Sequence, residues 1–139
     1  MIEVYIDGLA EPQNPGIGTY AFVIYNNGKR LKQGHGFAGY PVTNNHAEYE
    51  ALARALKELD SSRDQDVMIY SDSKMLVNQM KGEWKAKKGE YLGKHLQAKE
   101  LALGFPSIDY AWIPREKNSE ADSLSRVAYS EYLRGRKRR

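Results

Sequence analysis

Four acidic side chains stand where carboxylates could together bind metal ions. Asp7 and Asp72 each follow an apolar, strand-like segment, whereas Glu48 and Asp122 fall within helical patterns. Two carboxylates about 4 Å apart repel by roughly 4 kcal/mol at an effective dielectric near 20, so a cluster of four needs bound cations. Because the chain has no cysteine and no histidine cluster, such a site favours the hard ions Mg²⁺ or Mn²⁺ over zinc.

Three of the four acids, all but Asp7, also have a purely structural explanation. Asn45 and Glu48 have the spacing of a helix capping box. Ser119 and Asp122 have the same spacing, and Asp72 stands where a helix N-cap is expected. Taken singly, Glu48 and Asp72 are explained more simply as capping residues. The hypothesis of a metal site therefore depends on the four acids taken together.

Two hydrophobic patterns predict the elements that position these acids. Period-two alternation or a short apolar run indicates strands, at residues 2–8, 19–25, 29–38, 67–70 and 107–113. Apolar residues at helical spacing indicate helices, at residues 43–59, 73–80, 90–103 and 118–133. We expect Asn45 to cap the first helix. We expect the third helix to pack through Leu92, Leu96 and Leu103.

The order of elements, βββαβααβα, predicts an α/β fold. Its mixed five-stranded sheet would combine an antiparallel meander with parallel strands, and helices would flank both faces. Sites in such sheets form at the carboxyl ends of parallel strands. Because Asp7 and Asp72 both end strands, we expect their carboxylates to lie close together. We assign residues 1–133 to a single catalytic domain and residues 134–139 to a basic C-terminal tail.

Positive charge is concentrated in two segments. Five of the six residues from 134 to 139 are basic, so the rest of the chain carries −2 although the total is +3. Residues 81–99 hold six lysines and two glutamates. Within them lies what we call the basic connection, residues 82–89, where Trp84 stands beside several lysines. This pattern indicates a polyanion partner, although a loop that only keeps the connection soluble has a similar composition.

Composition also excludes several classes of protein. The absence of cysteine rules out disulfides and thiolate metal sites. No apolar run approaches the roughly 18 residues that a membrane span needs, and the first strand begins directly after Met1 with no leader. We therefore expect a cytoplasmic monomer with no membrane contact and no implied protein partner. The three histidines are scattered, so we expect ordinary surface or partly buried roles for them.

The motifs around the four acids resemble those of the ribonuclease H type I family. Asp7 lies in YIDG, Glu48 in NNHAEYEAL, Asp72 in YSDS and Asp122 in IPREKNSEADSLS. The motifs occur in the family's order, and the resemblance covers roughly residues 2–130. It implies the ribonuclease H-like fold. It also implies an endonuclease that hydrolyses the RNA strand of RNA–DNA hybrids and leaves 5′-phosphate and 3′-hydroxyl ends.

The resemblance further implies how the site is composed. The catalytic acids would hold two Mg²⁺ ions, with Mn²⁺ as a substitute; these acids are Asp7, Glu48, Asp72 and Asp122. Asp7 would bridge the ions, of which one would activate water and the other would stabilise the leaving 3′ oxygen. Contacts to the minor groove, the 2′-hydroxyls and the phosphates are expected from Asn14, Thr43, Asn44, Asn45, Trp84, Lys85, Lys88 and Asn118.

Two departures from the family affect this site. Many members carry a histidine in the loop before the last acid, but residues 113–117 contain none, so Arg115 and Glu116 are the candidates for its auxiliary catalytic role. Only 49 residues separate Asp72 from Asp122, which leaves little room for the long basic handle of well-known bacterial members.

Other interpretations of the same motifs stay open. They are a ribonuclease that also cleaves double-stranded RNA, a polynucleotidyl transferase on the same fold, and an inactive module that only binds hybrids. The presence of all four acids argues against the inactive module, because a protein that only binds needs no repelling charges.

Overall fold

The computed structural model describes residues 1–62, 64–87 and 89–137 and contains a five-stranded mixed sheet. Its strands are β1 (Ile2–Glu11), β2 (Gly16–Asn26), β3 (Lys29–Val42), β4 (Val67–Ser71) and β5 (Ile108–Trp112). Its helices are α1 (Asn44–Glu58), α2 (Lys74–Met80), α3 (Leu92–Ala102) and α4 (Ser119–Lys137). Two 3₁₀ turns lie at Asp60–Ser62 and Arg115–Lys117.

The strands lie in the order β3-β2-β1-β4-β5. The first three form an antiparallel meander, and β4 and β5 continue the sheet in parallel from β1. Asn27 and Gly28 form the tight turn between β2 and β3, with positive φ values of 53° and 83°, as such a hairpin requires. The predicted fold class is therefore confirmed.

Helices cover both faces of the sheet. Ile2, Val4 and Ile6 project from β1 into the main core, where they meet apolar side chains of α1 such as Leu52. The alternate side chains of β1 face the other way. There the α4 residue Ser125 contacts Asp7, and α4 packs along β1, β2 and β3. The end of β1 near Asp7 is thus enclosed between helices from both sides.

The first two strands are longer than predicted. β1 continues to Glu11 and β2 begins at Gly16, so much of the segment between the predicted strands 2–8 and 19–25 is paired backbone. Glycine, proline and asparagine in this segment favour a break. The backbone hydrogen bonds of a regular antiparallel ladder override that local preference, and the break is confined to the four residues from 12 to 15.

Two predictions about helices were wrong. Thr43, not Asn45, caps α1, because its Oγ1 accepts a hydrogen bond from the His46 N–H at 3.2 Å. Of the three leucines predicted to pack the third helix, Leu96 and Leu103 lie outside, 58% and 86% exposed, and only Leu92 is partly buried.

Helix α3 instead buries His95 and Ala98, and its main contact is with α1. The side chain buried at the centre of α3 is therefore a histidine, whereas a surface or partly buried position was expected for it.

The last helix runs further than predicted. α4 continues to Lys137, into the segment that we assigned to a basic tail, while residues 138 and 139 lie outside the described residues. The boundary between a domain and a tail at residue 133 stays a prediction. None of the described helices is both long enough and apolar enough to cross a membrane.

Candidate active site

Three of the four predicted acids converge at one edge of the sheet. A carboxylate oxygen from each of Asp7, Glu48 and Asp72 lies within 4.8 Å of the other two. They line a cavity of about 500 Å³. We call this cavity the acid cleft; its charged lining comprises Asp7, Glu11, Glu48, Asp72, Asp122, Arg115 and Arg126.

Asp7 lies where β1 loses one of its two partner strands. The parallel pairing with β4 ends at Tyr5 and Tyr70, whereas the antiparallel pairing with β2 continues to Glu11. The prediction that the strand ends at Asp7 was therefore wrong, but the residue still stands beside the carboxyl end of β4. Asp7 is 5% exposed, and the Ser125 hydroxyl donates to its Oδ2 at 2.8 Å.

Glu48 reaches the acid cleft because α1 lies very close to β1. A Cβ on Gly8 would stand 2.2 Å from the carbonyl carbon of Ala47 and 2.3 Å from the Glu48 nitrogen, so only glycine fits there. The backbone of Gly8 also hydrogen-bonds to the Glu48 carboxylate. Because Thr43 caps α1, Glu48 is not part of a capping box, and its structural explanation falls away.

Asp72 directly follows β4 and is partly buried. Ser73, not Asp72, caps α2, since its Oγ accepts from the Leu76 N–H at 3.2 Å. The Asn118 side chain hydrogen-bonds to the Asp72 carboxylate, and its amide donates to the Ile6 carbonyl at 2.8 Å. Asn118 is only 1% exposed. It therefore fastens the loop before α4 to the site, and its predicted contact with nucleic acid does not fit this position.

Asp122 faces the acid cleft from the first turn of α4. It is not part of the three-carboxylate cluster, and the Arg126 Nε lies 3.3 Å from its Oδ2. An acid in a first helical turn is also favoured by the helix dipole. The fourth acid thus lies in the same cavity as the other three but is neutralised in part by its own helix.

Burial and mutual repulsion disfavour the charged forms of the clustered acids. Burial first, then the neighbouring carboxylates of Asp72 and Asp122, raise the pKa of Asp7 to about 7. Burial, followed by the charges of Asp7 and Asp72, raises the pKa of Glu48 well above its ordinary value. Burial also raises the pKa of Asp72. The cluster is therefore short of positive charge.

The donor set fits a hard divalent cation. All three clustered side chains are carboxylates, which suit Mg²⁺ and Mn²⁺. Among the residues that the structure describes, no hydrogen-bond partner reaches the buried Oε2 of Glu48. Leaving such an oxygen without a partner is unfavourable, and a cation in the cluster would remove this penalty.

Of the two predicted auxiliary residues, Arg115 lies in the acid cleft. Its positive charge lowers the pKa of Asp7, of Glu48 and of Asp72, against the larger effect of burial. Glu116 is exposed on the same 3₁₀ turn. The loop that lacks histidine thus brings a permanent cation to the carboxylates.

The predicted nucleic-acid contacts around α1 lie beside the acid cleft. Asn44 and Asn45 line it. Asn14 Oδ1 accepts from the Asn44 N–H at 3.1 Å, and Asn44 Oδ1 accepts from the Ala10 N–H at 2.7 Å. These bonds join the β1–β2 turn to the start of α1, where Thr43 is the cap. The structure thus places these residues together on one rim of the cleft.

The predicted contacts of the basic connection lie on another surface. Trp84 is 51% exposed, and Lys85 is exposed as well. Both line a cavity of about 420 Å³ with Met75 and Tyr91. Lys88 lies outside the described residues.

Sequence reasoning missed two residues that shape the site. Ser125 stands on the buried stripe of α4 between Ala121 and Ala128, and a hydroxyl at a core position was a signal that it has a polar partner. Gly8 follows directly after Asp7. Its role depends on how closely a helix distant in sequence approaches, and no local pattern shows this.

The sequence matches the reverse transcriptase-like family over residues 6–128. It is 36% identical over 120 residues to the bifunctional protein Rv2228c of Mycobacterium tuberculosis, and the match covers 83% of this chain and 32% of that protein. It is 36% identical over 146 residues to the ribonuclease HI of Synechocystis, with 94% and 87% covered. The chain thus spans about a third of the mycobacterial relative and most of the cyanobacterial one.

A solved structure with the same fold is that of LC11-RNase H1 in complex with an RNA/DNA hybrid. The two chains superpose with a TM-score of 0.88 and are 34% identical, and the match covers 96% of this chain and 99% of that one.

Proposed function

Because the chain belongs to the ribonuclease HI family, we propose that it is an endonuclease that hydrolyses the RNA strand of RNA–DNA hybrids. The single observation that carries the proposal is the convergence of Asp7, Glu48 and Asp72 within 4.8 Å. The hybrid bound to the LC11-RNase H1 relative supports the choice of substrate. Cleavage would leave 5′-phosphate and 3′-hydroxyl ends.

We infer that the cofactor is Mg²⁺, as two ions, with Mn²⁺ as a possible substitute. The residues that would hold the ions are Asp7, Glu48, Asp72 and Asp122. When bound, such ions supply an activated water and stabilise the leaving 3′ oxygen. The ionised carboxylates are stabilised in return, because the cations offset the repulsion among them.

The chain's own groups prepare the acid cleft for this chemistry. Ser125 fixes one oxygen of Asp7, and Gly8 lets Glu48 approach from the opposite face of the sheet. Arg115 places a positive charge where the scissile phosphate would enter, so it attracts and orients that phosphate. Groups held in place before the substrate arrives need no reorganisation during the reaction.

Two surfaces would hold the hybrid. The rim formed by Asn14, Thr43, Asn44 and Asn45 would contact 2′-hydroxyls and phosphates. Trp84, Lys85 and Lys88 of the basic connection would contact the backbone of the other strand. Backbone contacts give affinity without sequence preference. A cytoplasmic location and a monomeric state belong to the same proposal.

Cleavage of a panel of duplexes tests the function. We expect labelled RNA–DNA hybrid to be cut in the RNA strand with Mg²⁺ or Mn²⁺ and to survive in EDTA. Equal cleavage of double-stranded RNA would favour the broader ribonuclease. Hybrid binding without cleavage under either metal would favour the inactive module, and calorimetry should then detect only feeble binding of divalent ions.

A further inference from the structure

A chain of hydrogen bonds connects α1 to the basic connection. The Tyr49 hydroxyl donates to Gln79 Oε1 at 2.6 Å, and the Gln79 amide donates to the Tyr91 hydroxyl oxygen at 3.1 Å. The backbone N–H of Lys87 donates to the same Tyr91 oxygen, also at 3.1 Å. The links therefore pass from α1 through α2 to the residue before α3, and from there to the basic connection.

The end of this hydrogen-bond chain on α1 is buried, and the Tyr49 hydroxyl there has two partners. His95 Nδ1 lies 3.0 Å from the Tyr49 hydroxyl. Since the single hydroxyl hydrogen of Tyr49 goes to Gln79, its oxygen accepts from His95, which places the ring proton on Nδ1. Tyr49, Gln79 and His95 are 0%, 4% and 5% exposed. Because a buried polar group is unfavourable without a partner, breaking one link strains the next.

Ring packing places the hydroxyl groups independently of their hydrogen bonds. The rings of Tyr49 and Tyr91 are stacked with centroids 6.0 Å apart and planes 9° apart. His95 meets the edge of Tyr49 at 5.1 Å and 83°. A change of tyrosine to phenylalanine at either position therefore removes the hydrogen bonds and keeps the packing.

The basic connection is held at both ends. At its start, Gly82 has φ +83°, and the Glu83 and Trp84 N–H groups donate to the Asn78 carbonyl at 2.9 and 3.1 Å. Towards its other end, the Lys87 N–H is held by Tyr91. The exposed side chains of Trp84 and Lys85 stand between these two anchors.

We propose that Tyr49, Gln79 and Tyr91 position the basic connection for binding the hybrid. Tyr49 directly follows Glu48 on α1, so the chain of hydrogen bonds starts on the helical turn that carries a proposed catalytic acid. It holds the cationic surface at a fixed distance from the acid cleft. The three are positioning residues that act through the basic connection, and the inference rests on the proposed function, which assigns hybrid binding to that surface.

Steady-state kinetics of Tyr91→Phe and Tyr49→Phe test the inference. We expect each variant to raise KM for the hybrid about fivefold, as the loss of a hydrogen bond to a neutral group would, with kcat within about twofold of wild type. The matched control is Tyr70→Phe on β4. It removes a tyrosine hydroxyl that donates to Glu3 at 3.0 Å and takes no part in this chain of hydrogen bonds. An unchanged KM in Tyr91→Phe, or an equal rise in Tyr70→Phe, would overturn the inference.

The double variant tests whether the links act in series. If they do, Tyr49→Phe combined with Tyr91→Phe raises KM no more than the more damaging single change. If the two residues act independently, their increases in KM multiply instead. Such a result would overturn the inference that the hydrogen bonds act as one continuous chain.

Hydrogen exchange separates this inference from the proposed function, because it needs no cleavage. We expect the Lys87 amide to exchange faster in Tyr91→Phe and in Tyr49→Phe than in wild type or Tyr70→Phe. Unchanged exchange would overturn the link itself. If wild type neither binds nor cleaves hybrid while exchange at Lys87 responds as expected, the proposed function fails and the link stands.

Discussion

The acid cleft and the basic connection hold opposite charges in opposite surroundings. In the cleft, Asp7 and Glu48 are 5% and 8% exposed, and burial is the largest cause of their raised pKa values. In the basic connection, Lys85 is exposed and Trp84 is 51% exposed. Burying a charge without a partner is strongly unfavourable, whereas a solvated surface charge contributes little to stability.

This difference determines what the fold has to hold in place in each region. The cleft needs each carboxylate in one orientation, so it relies on Ser125, Gly8 and Asn118 to fix them. The lysines need no fixed orientation, but the segment that carries them needs a fixed place, which Tyr91 and Asn78 provide. Substitutions in the cleft should therefore have large effects, and those on exposed lysines should have small ones.

The largest effect is expected from Asp7→Asn. The change keeps the shape of the side chain and removes the charge that a cation needs, so kcat on hybrid should fall about 10³-fold, equivalent to about 4 kcal/mol. Circular dichroism should show an unchanged fold. Asp66→Asn, at an exposed position, is the control and should keep wild-type activity. Near wild-type cleavage by Asp7→Asn would remove the metal assignment.

The same substitution should stabilise the metal-free protein. The pKa of Asp7 is raised from 3.8 to about 7. Because the pKa is raised in the folded state, the contribution of Asp7 to the free energy of unfolding is fully present below pH 4 and is lost as pH rises through about 7. Asparagine does not titrate, so above pH 7 in EDTA Asp7→Asn should be more stable by on the order of 4 kcal/mol, at 1.36 kcal/mol per pKa unit.

Urea unfolding at pH 5 and pH 8 measures this effect. The gain should be larger at pH 8 than at pH 5 and should shrink or reverse when Mg²⁺ is added, because a ligand that binds only the folded wild type stabilises it. If the gain in EDTA were equal at both pH values, a raised pKa of Asp7 would not be its cause.

A third effect tests the close approach of α1 to β1. In Gly8→Ala the new methyl group would stand 2.2 Å from backbone, so α1 must shift and carry Glu48 away from Asp7. Activity should fall about 10²-fold, as expected when reacting groups move by about 1 Å. The control is Gly93→Ala in α3, where nothing lies within 4 Å. That change should leave activity intact and raise stability by up to about 1 kcal/mol.

Much of the cleft could be predicted because its acids lie in strong local patterns. Asp7 and Asp72 each come at the end of an apolar segment of the sequence, and the parallel strands β1 and β4 bring such positions together whatever the loops between them do. Their exact surroundings could not be predicted, since Ser125 and Asn118 reach the site from a helix and a loop that are far away in sequence. Contacts of that kind depend on tertiary packing.

Helix α3 shows where local patterns fail. Its leucines have helical spacing, yet Leu96 and Leu103 are exposed, and the helix buries His95 instead. Spacing alone shows that one face is apolar, but the neighbouring element decides which face is covered. Tyr49 meets His95 edge-on and offers it a hydrogen-bond partner. A count of apolar residues does not reveal this partner.

A smaller effect is expected from Arg115→Gln. Arg115 lines the cleft and offsets part of the repulsion among its acids, so losing one charge contact to the phosphate should lower kcat/KM about tenfold, or roughly 1.4 kcal/mol. Glu116→Gln on the same turn is the matched comparison and should stay within about twofold. Equal losses in both variants would mean that the loop acts through its conformation and not through the Arg115 charge.

The smallest effect is expected from Lys85→Gln, and it tests whether the basic connection contacts phosphate at all. One exposed lysine at a phosphate should change KM by only a few-fold near physiological salt, because exposed ion pairs are worth about 1 kcal/mol or less. The slope of log Kd against log salt is more informative, since each neutralised phosphate contributes about 0.9 to it.

We expect Lys85→Gln to reduce that slope by close to one unit. Lys57→Gln, an exposed change in the last turn of α1, should leave it unaltered. A slope that fell equally in both variants would mean that net charge alone attracts the hybrid. The lysines of the basic connection would then act like any other exposed lysine, and the hydrogen bonds that fix the position of this segment would have no effect on binding.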